Sequence, residues 1–194
     1  MRRFIIFLYK IYMVIVYRPK VVGKENIPRE GGALLCPNHV HALDSTIIIA
    51  SERRKINVLA KAELFKLGIA RAFAKLFGIY PVDTKKKDIN SIKISLKILK
   101  NNELLMIFPE GTRNGLAKKV KPKKGAIKIA ITAGVPIIPI GIQGNFKPFK
   151  KVKVNIGKPM DFTMYRDKIR DEEQMDILLD KLMNEIIRLT NEKI

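Results

Sequence analysis

One cysteine is all the chain has, which excludes an internal disulfide and any metal centre built from several thiolates. Cys36 lies in the apolar run Ala33-Leu34-Leu35-Cys36, where a small buried strand residue is expected rather than a nucleophile. A lone thiol fits a reducing compartment. There are two histidines, both in one short loop, and no carboxylate–histidine cluster has ligand spacing, so metal dependence is not expected. Internal repeats, low-complexity stretches and tryptophan are absent. Acid is scarce: 18 Asp and Glu stand against 38 Lys and Arg, a net charge of +20. Such a field attracts polyanions, whether nucleic acid, an anionic lipid surface or a phosphorylated substrate. Charge alone does not choose among these, and a lysine-rich surface is also common without any partner. What is present is enough for one folded domain: 194 residues, 47% of them hydrophobic.

Long apolar runs are missing too. The longest candidate, FIIFLYKIYMVIVY at residues 4–17, contains Lys10 and falls short of the roughly 20 residues that span a bilayer. No small-residue cleavage site follows it, as a secretory leader would require; Val16-Tyr17-Arg18-Pro19 is bulky and then charged. Two readings fit. The helix lies in the membrane interface with Arg2, Arg3, Arg18 and Lys20 near anionic head groups, or it packs on the domain as a core helix. Basic residues at both ends and aromatics along the run favour the membrane. Residues 63–77, ELFKLGIARAFAKLF, place Phe65, Ile69, Phe73, Leu76 and Phe77 at helical spacing, with Arg71 and Lys75 on another face. This fits a basic amphipathic helix at a membrane surface, or an ordinary helix with its apolar stripe on a sheet.

From residue 33 onward, short apolar runs alternate with helical patterns. Strands are expected at Ala33–Cys36, Asn57–Ala60, Gly78–Val82, Leu104–Phe108, Pro136–Ile142 and Val152–Ile156. Helices are expected at Ser45–Ser51, Leu64–Phe77, Ile89–Lys100, Gly125–Ala133 and Glu172–Thr190. Asp88 is placed to cap the third of these, and Gly134 with Pro136 to end the fourth. The alternation predicts an α/β domain with a largely parallel sheet flanked by helices. Its strands are apolar runs, as when both faces of a sheet are covered. Ligands of such sheets bind beyond the carboxyl ends of the strands, so the residues after each strand matter most.

After the first strand comes Pro37-Asn38-His39-Val40-His41-Ala42-Leu43-Asp44. Histidine is a ready general base near neutral pH. To act on a hydroxyl it must hold one tautomer, and a carboxylate on the other ring nitrogen does that while stabilising the imidazolium. Asp44 lies five residues on, an offset of about 140° on a regular helix, so the pair needs a non-helical turn to meet. Alternatively, Asp44 is only the cap of the next helix. After the fourth strand comes Phe108-Pro109-Glu110-Gly111-Thr112-Arg113-Asn114. Gly111 permits a tight turn, and Arg113 offers a planar fork of donors suited to phosphate. Each loop ends a strand, so both are expected to face one crevice, with a base in one and an anion clamp in the other.

The pattern NH-x4-D, followed roughly 70 residues later by FPEGTR, resembles the glycerolipid acyltransferases, specifically the 1-acyl-sn-glycerol-3-phosphate acyltransferases. Further matches are Lys61-Ala62-Glu63-Leu64, Gly78-Ile79-Tyr80-Pro81-Val82-Asp83, Lys124-Gly125-Ala126 and Val135-Pro136-Ile137-Ile138-Pro139-Ile140, so the likeness covers about residues 20–160. It implies that His39 takes the proton of an acceptor hydroxyl and Asp44 orients it. The freed oxygen attacks an acyl thioester, a thiol leaves, and no acyl-enzyme or cofactor is needed. Glu110, Gly111, Thr112 and Arg113 carry over as the acceptor-phosphate loop, and Asn38 and Lys61 as further substrate-binding residues, Asn38 also shaping the turn. The implied product is phosphatidic acid, made by acylating the sn-2 hydroxyl of lysophosphatidic acid. The donor is acyl carrier protein or coenzyme A thioester. Two positions depart from the pattern: Thr84 stands where an arginine is usual, with Lys85, Lys86 and Lys87 beside it, and His41 where a small polar residue is usual. His41 is read as structural or rim-lining.

The expected division is an N-terminal membrane-interface helix over residues 1–22 and the acyltransferase domain over 23–194, peripheral or monotopic on the cytoplasmic face of the cell membrane. An anionic bilayer and an anionic acceptor account together for the basic surface. Acylation of glycerol 3-phosphate or another lysophospholipid is the alternative. A nucleic-acid-binding protein or a non-catalytic membrane protein would leave the paired loops unexplained, and no nucleic-acid partner is expected.

Overall fold

The computed structural model describes residues 2–65, 74, 76–82 and 89–191. In chain order the elements are α1 (Arg2–Tyr17), β1 (Lys20–Val22), β2 (Ala33–Pro37), α2 (Asp44–Ser51), β3 (Ile56–Lys61), β4 (Ile79–Val82), α3 (Ile89–Lys100), β5 (Leu104–Met106), α4 (Gly125–Ala133), β6 (Ile137–Gly144), β7 (Val152–Ile156) and α5 (Glu172–Asn191). Among the described residues, seven strands form one sheet in the order β1-β7-β6-β2-β5-β3-β4. The five from β6 to β4 are parallel, β7 runs antiparallel to β6, and β1 pairs with β7 in parallel.

The sheet is covered on both faces, which is why its strands read as unbroken apolar runs. Successive side chains of a strand point to opposite faces. Leu34 and Cys36 accordingly join Ile98, Ile127, Ile131, Leu179 and Leu182 of α3, α4 and α5. Ala33 and Leu35 join Met13 of α1 and Ile47, Ile48 and Ile49 of α2. Cys36 is fully buried in this core, and burial pushes its thiol well above the usual range. Gly134 ends α4 in the left-handed region, its N–H donating to the carbonyls of Ala130 and Ile131.

Several element bounds differ from expectation, β6 running on to Gly144 and β3 spanning Ile56–Lys61. Residues 20–22, expected to belong to the N-terminal helix, lie past its end at Tyr17 and form an edge strand whose Val21 stands opposite Val154. The β5 strand stops at Met106 rather than Phe108, because the chain there leaves the sheet to build the loop described below. Asp88, Thr84, Lys85, Lys86, Lys87 and most of the amphipathic stretch at 63–77 lie outside the described residues.

Helix α1 has two apolar faces. One packs on the domain through buried Met13, half-buried Ile6 and Tyr9, whose ring meets Phe77 edge-on at 4.7 Å. Lys10 is turned to this side, and its ammonium donates to the carbonyl of Glu52 just beyond α2. Burial lowers its pKa, opposed by Glu52. The other face, with Phe4, Phe7, Leu8, Ile11, Val14 and Ile15, is exposed. Turning Lys10 inward leaves that outer stripe uncharged. No helix among the described residues is long and apolar enough to cross a membrane.

Candidate active site

The parallel neighbours β2 and β5, with Leu35 opposite Met106, deliver their following loops to the same end of the sheet. Asn38 is the first residue past β2. Its side chain continues the ladder with β6, the amide nitrogen donating to the Ile142 carbonyl at 3.0 Å and the amide oxygen accepting from the Ile142 N–H at 2.6 Å. Asn38 is 1% exposed, so its position shapes the turn and offers nothing to a ligand in the crevice.

The turn that follows brings Asp44 back beneath His39. One oxygen, Oδ2, lies 2.8 Å from His39 Nδ1 and also accepts the N–H groups of Val40 and His41 at 2.7 and 2.8 Å. A helix cap bonds forward into its own first turn. Asp44 bonds backward, and no side-chain cap bond forms at the start of α2, so the capping alternative fails. A carboxylate only accepts, which puts the imidazole proton on Nδ1 and leaves Nε2 with a free lone pair. Asp44 is fully buried, whereas the His39 side chain is 21% exposed, so the pair opens to solvent only through the imidazole. Phe108 stacks on that ring at a centroid distance of 4.1 Å.

The second loop is bonded to the first. The N–H of His39 donates to Glu110 Oε1 at 2.7 Å, and the His39 carbonyl accepts the N–H of Asn114 at 2.6 Å. Glu110 is 2% exposed, with its other oxygen accepting the N–H of Leu116 at 2.7 Å. Between these anchors run Gly111, half-buried Thr112 and exposed Arg113. Gly111 takes the left-handed conformation, φ 65°, and its N–H donates to the Phe108 carbonyl at 3.1 Å. A Cβ on Gly111 would come within 3.0 Å of Lys123 Cε, so the Lys123 stem lies along this loop.

His39, Asp44 and the 110–113 loop are thus brought together. Lys61 ends β3 opposite Val82, on a strand one removed from β2. His41 lies at the rim, stacked on Phe146 at 4.5 Å with Nδ1 facing the Leu43 N–H at 3.2 Å. Sequence reasoning missed Phe108, Asn114, Gly115 and Lys123. The aromatic immediately before Pro109 was the one local signal available.

The acyltransferase family model matches residues 18–143, about two thirds of the chain. The chain belongs to the acyltransferase family. This acyltransferase is 35% identical over 147 residues to the 1-acyl-sn-glycerol-3-phosphate acyltransferase of Bacillus subtilis, covering 73% of each chain. It is 31% identical over 135 residues to the protein of that name from Borreliella burgdorferi, spanning 68% of this chain and about half, 53%, of that one. The crystal structure of the 1-acyl-sn-glycerophosphate (LPA) acyltransferase of Thermotoga maritima superposes with a TM-score of 0.71, at 22% identity, over 100% of this chain and 83% of that one. That likeness establishes a shared fold.

Proposed function

We propose that this acyltransferase moves a fatty acyl group from an acyl thioester to the sn-2 hydroxyl of 1-acyl-sn-glycerol 3-phosphate, forming phosphatidic acid. The observation that carries the reading is that His39, paired with Asp44 at 2.8 Å, is bonded through its own peptide group to the loop bearing Arg113. A substrate with a hydroxyl and a phosphate in one small molecule fits that pairing. The names of the relatives from Bacillus and Borreliella support the same acceptor.

In this mechanism Nε2 of His39 removes the hydroxyl proton as the oxygen attacks the thioester carbonyl. Asp44 stabilises the imidazolium that forms. The tetrahedral intermediate collapses, the carbon–sulfur bond breaks, and the imidazolium returns its proton to the leaving thiolate. Acyl transfer is direct: Cys36 lies in the core with a raised pKa and is no nucleophile. Arg113 holds the acceptor phosphate by its guanidinium fork, with the Lys123 stem running along Gly111 and Gly111 and Thr112 shaping the loop. Lys61, the last residue of β3, is a further substrate-binding residue in this reading.

The uncharged outer stripe of α1, bordered by Arg18 and Lys20, lies in the interface of an anionic membrane at the cytoplasmic face. The test of function supplies the purified protein with lysophosphatidic acid and, separately, acyl carrier protein and coenzyme A thioesters. Phosphatidic acid formation with one donor or both is expected. Acylation of glycerol 3-phosphate in preference to lysophosphatidic acid would move the acceptor assignment, and no transfer from either donor would refute the reading.

A further inference from the structure

Within the proposed acyl transfer, the buried carboxylate of Glu110 has the wrong surroundings for a substrate ligand. It is 2% exposed, and each oxygen already accepts a backbone N–H, His39 on one side and Leu116 on the other. Both partners are donors. A carboxylate meets two donors with two acceptors, whereas a glutamine would turn its NH2 toward one of them. Gly115 makes room for it: a Cβ there would lie 2.8 Å from both Glu110 Cβ and Oε2. The carbonyl of His39 is tied to the same loop by Asn114.

We infer that Glu110 is a positioning residue: it clamps the His39 peptide to the phosphate loop, so that the catalytic base and the site of the acceptor phosphate are held in one rigid frame. The reading rests on the proposed acyl transfer but makes a separate claim, that Glu110 does not touch the acceptor. Misplacing a reacting group by about 1 Å costs on the order of 100-fold in rate. A shift of the His39 peptide moves the imidazole by such distances while leaving Arg113 available to the phosphate.

The experiment compares Glu110→Gln and Gly115→Ala with the wild type in steady-state acyl transfer to lysophosphatidic acid, with thermal melting and the backbone amide resonance of His39 recorded on each. Gly115→Ala keeps the carboxylate and displaces it, so it carries the test if the glutamine variant does not fold. Expected is a kcat lower by roughly 100-fold, a KM for the acceptor within about twofold of wild type, and loss of the low-field shift that a carboxylate acceptor gives the His39 amide. A raised KM with kcat retained would overturn the proposal in favour of direct acceptor contact. So would wild-type kinetics, or a His39 amide that does not move. The amide resonance reads the clamp without turnover. A wild-type protein inactive on lysophosphatidic acid would therefore sink the acyl-transfer reading while the clamp is judged separately.

Discussion

Replacing Asp44 by asparagine removes one charge and changes little else in shape. In the structure Oδ2 accepts three donors, His39 Nδ1–H and the N–H groups of Val40 and His41. The asparagine oxygen must take that place to keep them. Its NH2 then occupies the position of Oδ1, which is buried with no partner among the described residues. A buried, unpaired donor costs about 1–3 kcal/mol of stability, which lowers the melting temperature by a few degrees for a chain of this size. The catalytic loss is larger. An imidazolium and a carboxylate about 4 Å apart at an effective dielectric of about 20 attract by about 4 kcal/mol. That attraction is present only once His39 has taken the proton. Losing it raises the barrier by the same amount, about a thousandfold in kcat at 1.36 kcal/mol per decade. The acceptor KM is expected to stay within about twofold, since Asp44 is sealed beneath the imidazole. Thiol release measured continuously over a range of lysophosphatidic acid concentrations reads both kcat and KM, with far-UV circular dichroism as the control for fold. An Asp44→Asn variant that keeps more than about a tenth of wild-type kcat would show that no charge forms on His39 during the reaction.

Other perturbations separate binding from chemistry and from stability. Arg113→Lys keeps the charge and loses the fork, so the acceptor KM is expected to rise about tenfold with kcat nearly constant; initial-rate kinetics check this. Leu182→Ala hollows the core beneath the sheet at a fully buried position, and urea unfolding should show a loss of about 2–5 kcal/mol. The carboxyl of Glu172 is held down to about 2 by hydrogen bonds from Lys124 and then Lys128. A depressed carboxyl stabilises the fold above its unfolded value, and that contribution disappears as pH falls toward its folded value. Wild type should therefore lose more melting temperature than Lys124→Met on acidification from about pH 5 to about pH 2. Charging the outer stripe of α1 with Phe7→Glu and Ile15→Glu should abolish sedimentation with anionic vesicles without changing the melting temperature, because both side chains are exposed.

The parts of the fold legible in the sequence were those in which a residue's neighbours along the chain fix its fate. Helices α3 and α4 begin and end where periodicity and Gly134 place them, and Val152–Ile156 is a strand because both its faces are covered. The three-residue strand β1 carries no such pattern, since Lys20-Val21-Val22 becomes a strand only by lying against Val154. The site divides the same way. The pairing of His39 with Asp44 was legible because its chemistry is in the two side chains. Glu110 carries chemistry in its side chain as well, but its partners are backbone N–H groups 71 and 6 residues away, which no spacing announces. For the same reason Asn114 and Gly115 read as ordinary loop residues: one acts through its peptide and the other by having no side chain. For α1, packing on the domain and presenting an apolar surface looked like rival readings, yet the helix does both, since its apolar residues run around most of its circumference.

The central claim is that the imidazole at position 39 performs the proton transfer for an acceptor held by the neighbouring loop. The most direct measurement is the rate of phosphatidic acid formation by His39→Ala, with the fold verified by circular dichroism. A loss of at least about a thousandfold in kcat is predicted for removal of an essential general base that also stabilises charge. A folded His39→Ala protein that forms phosphatidic acid at the wild-type rate would contradict the account.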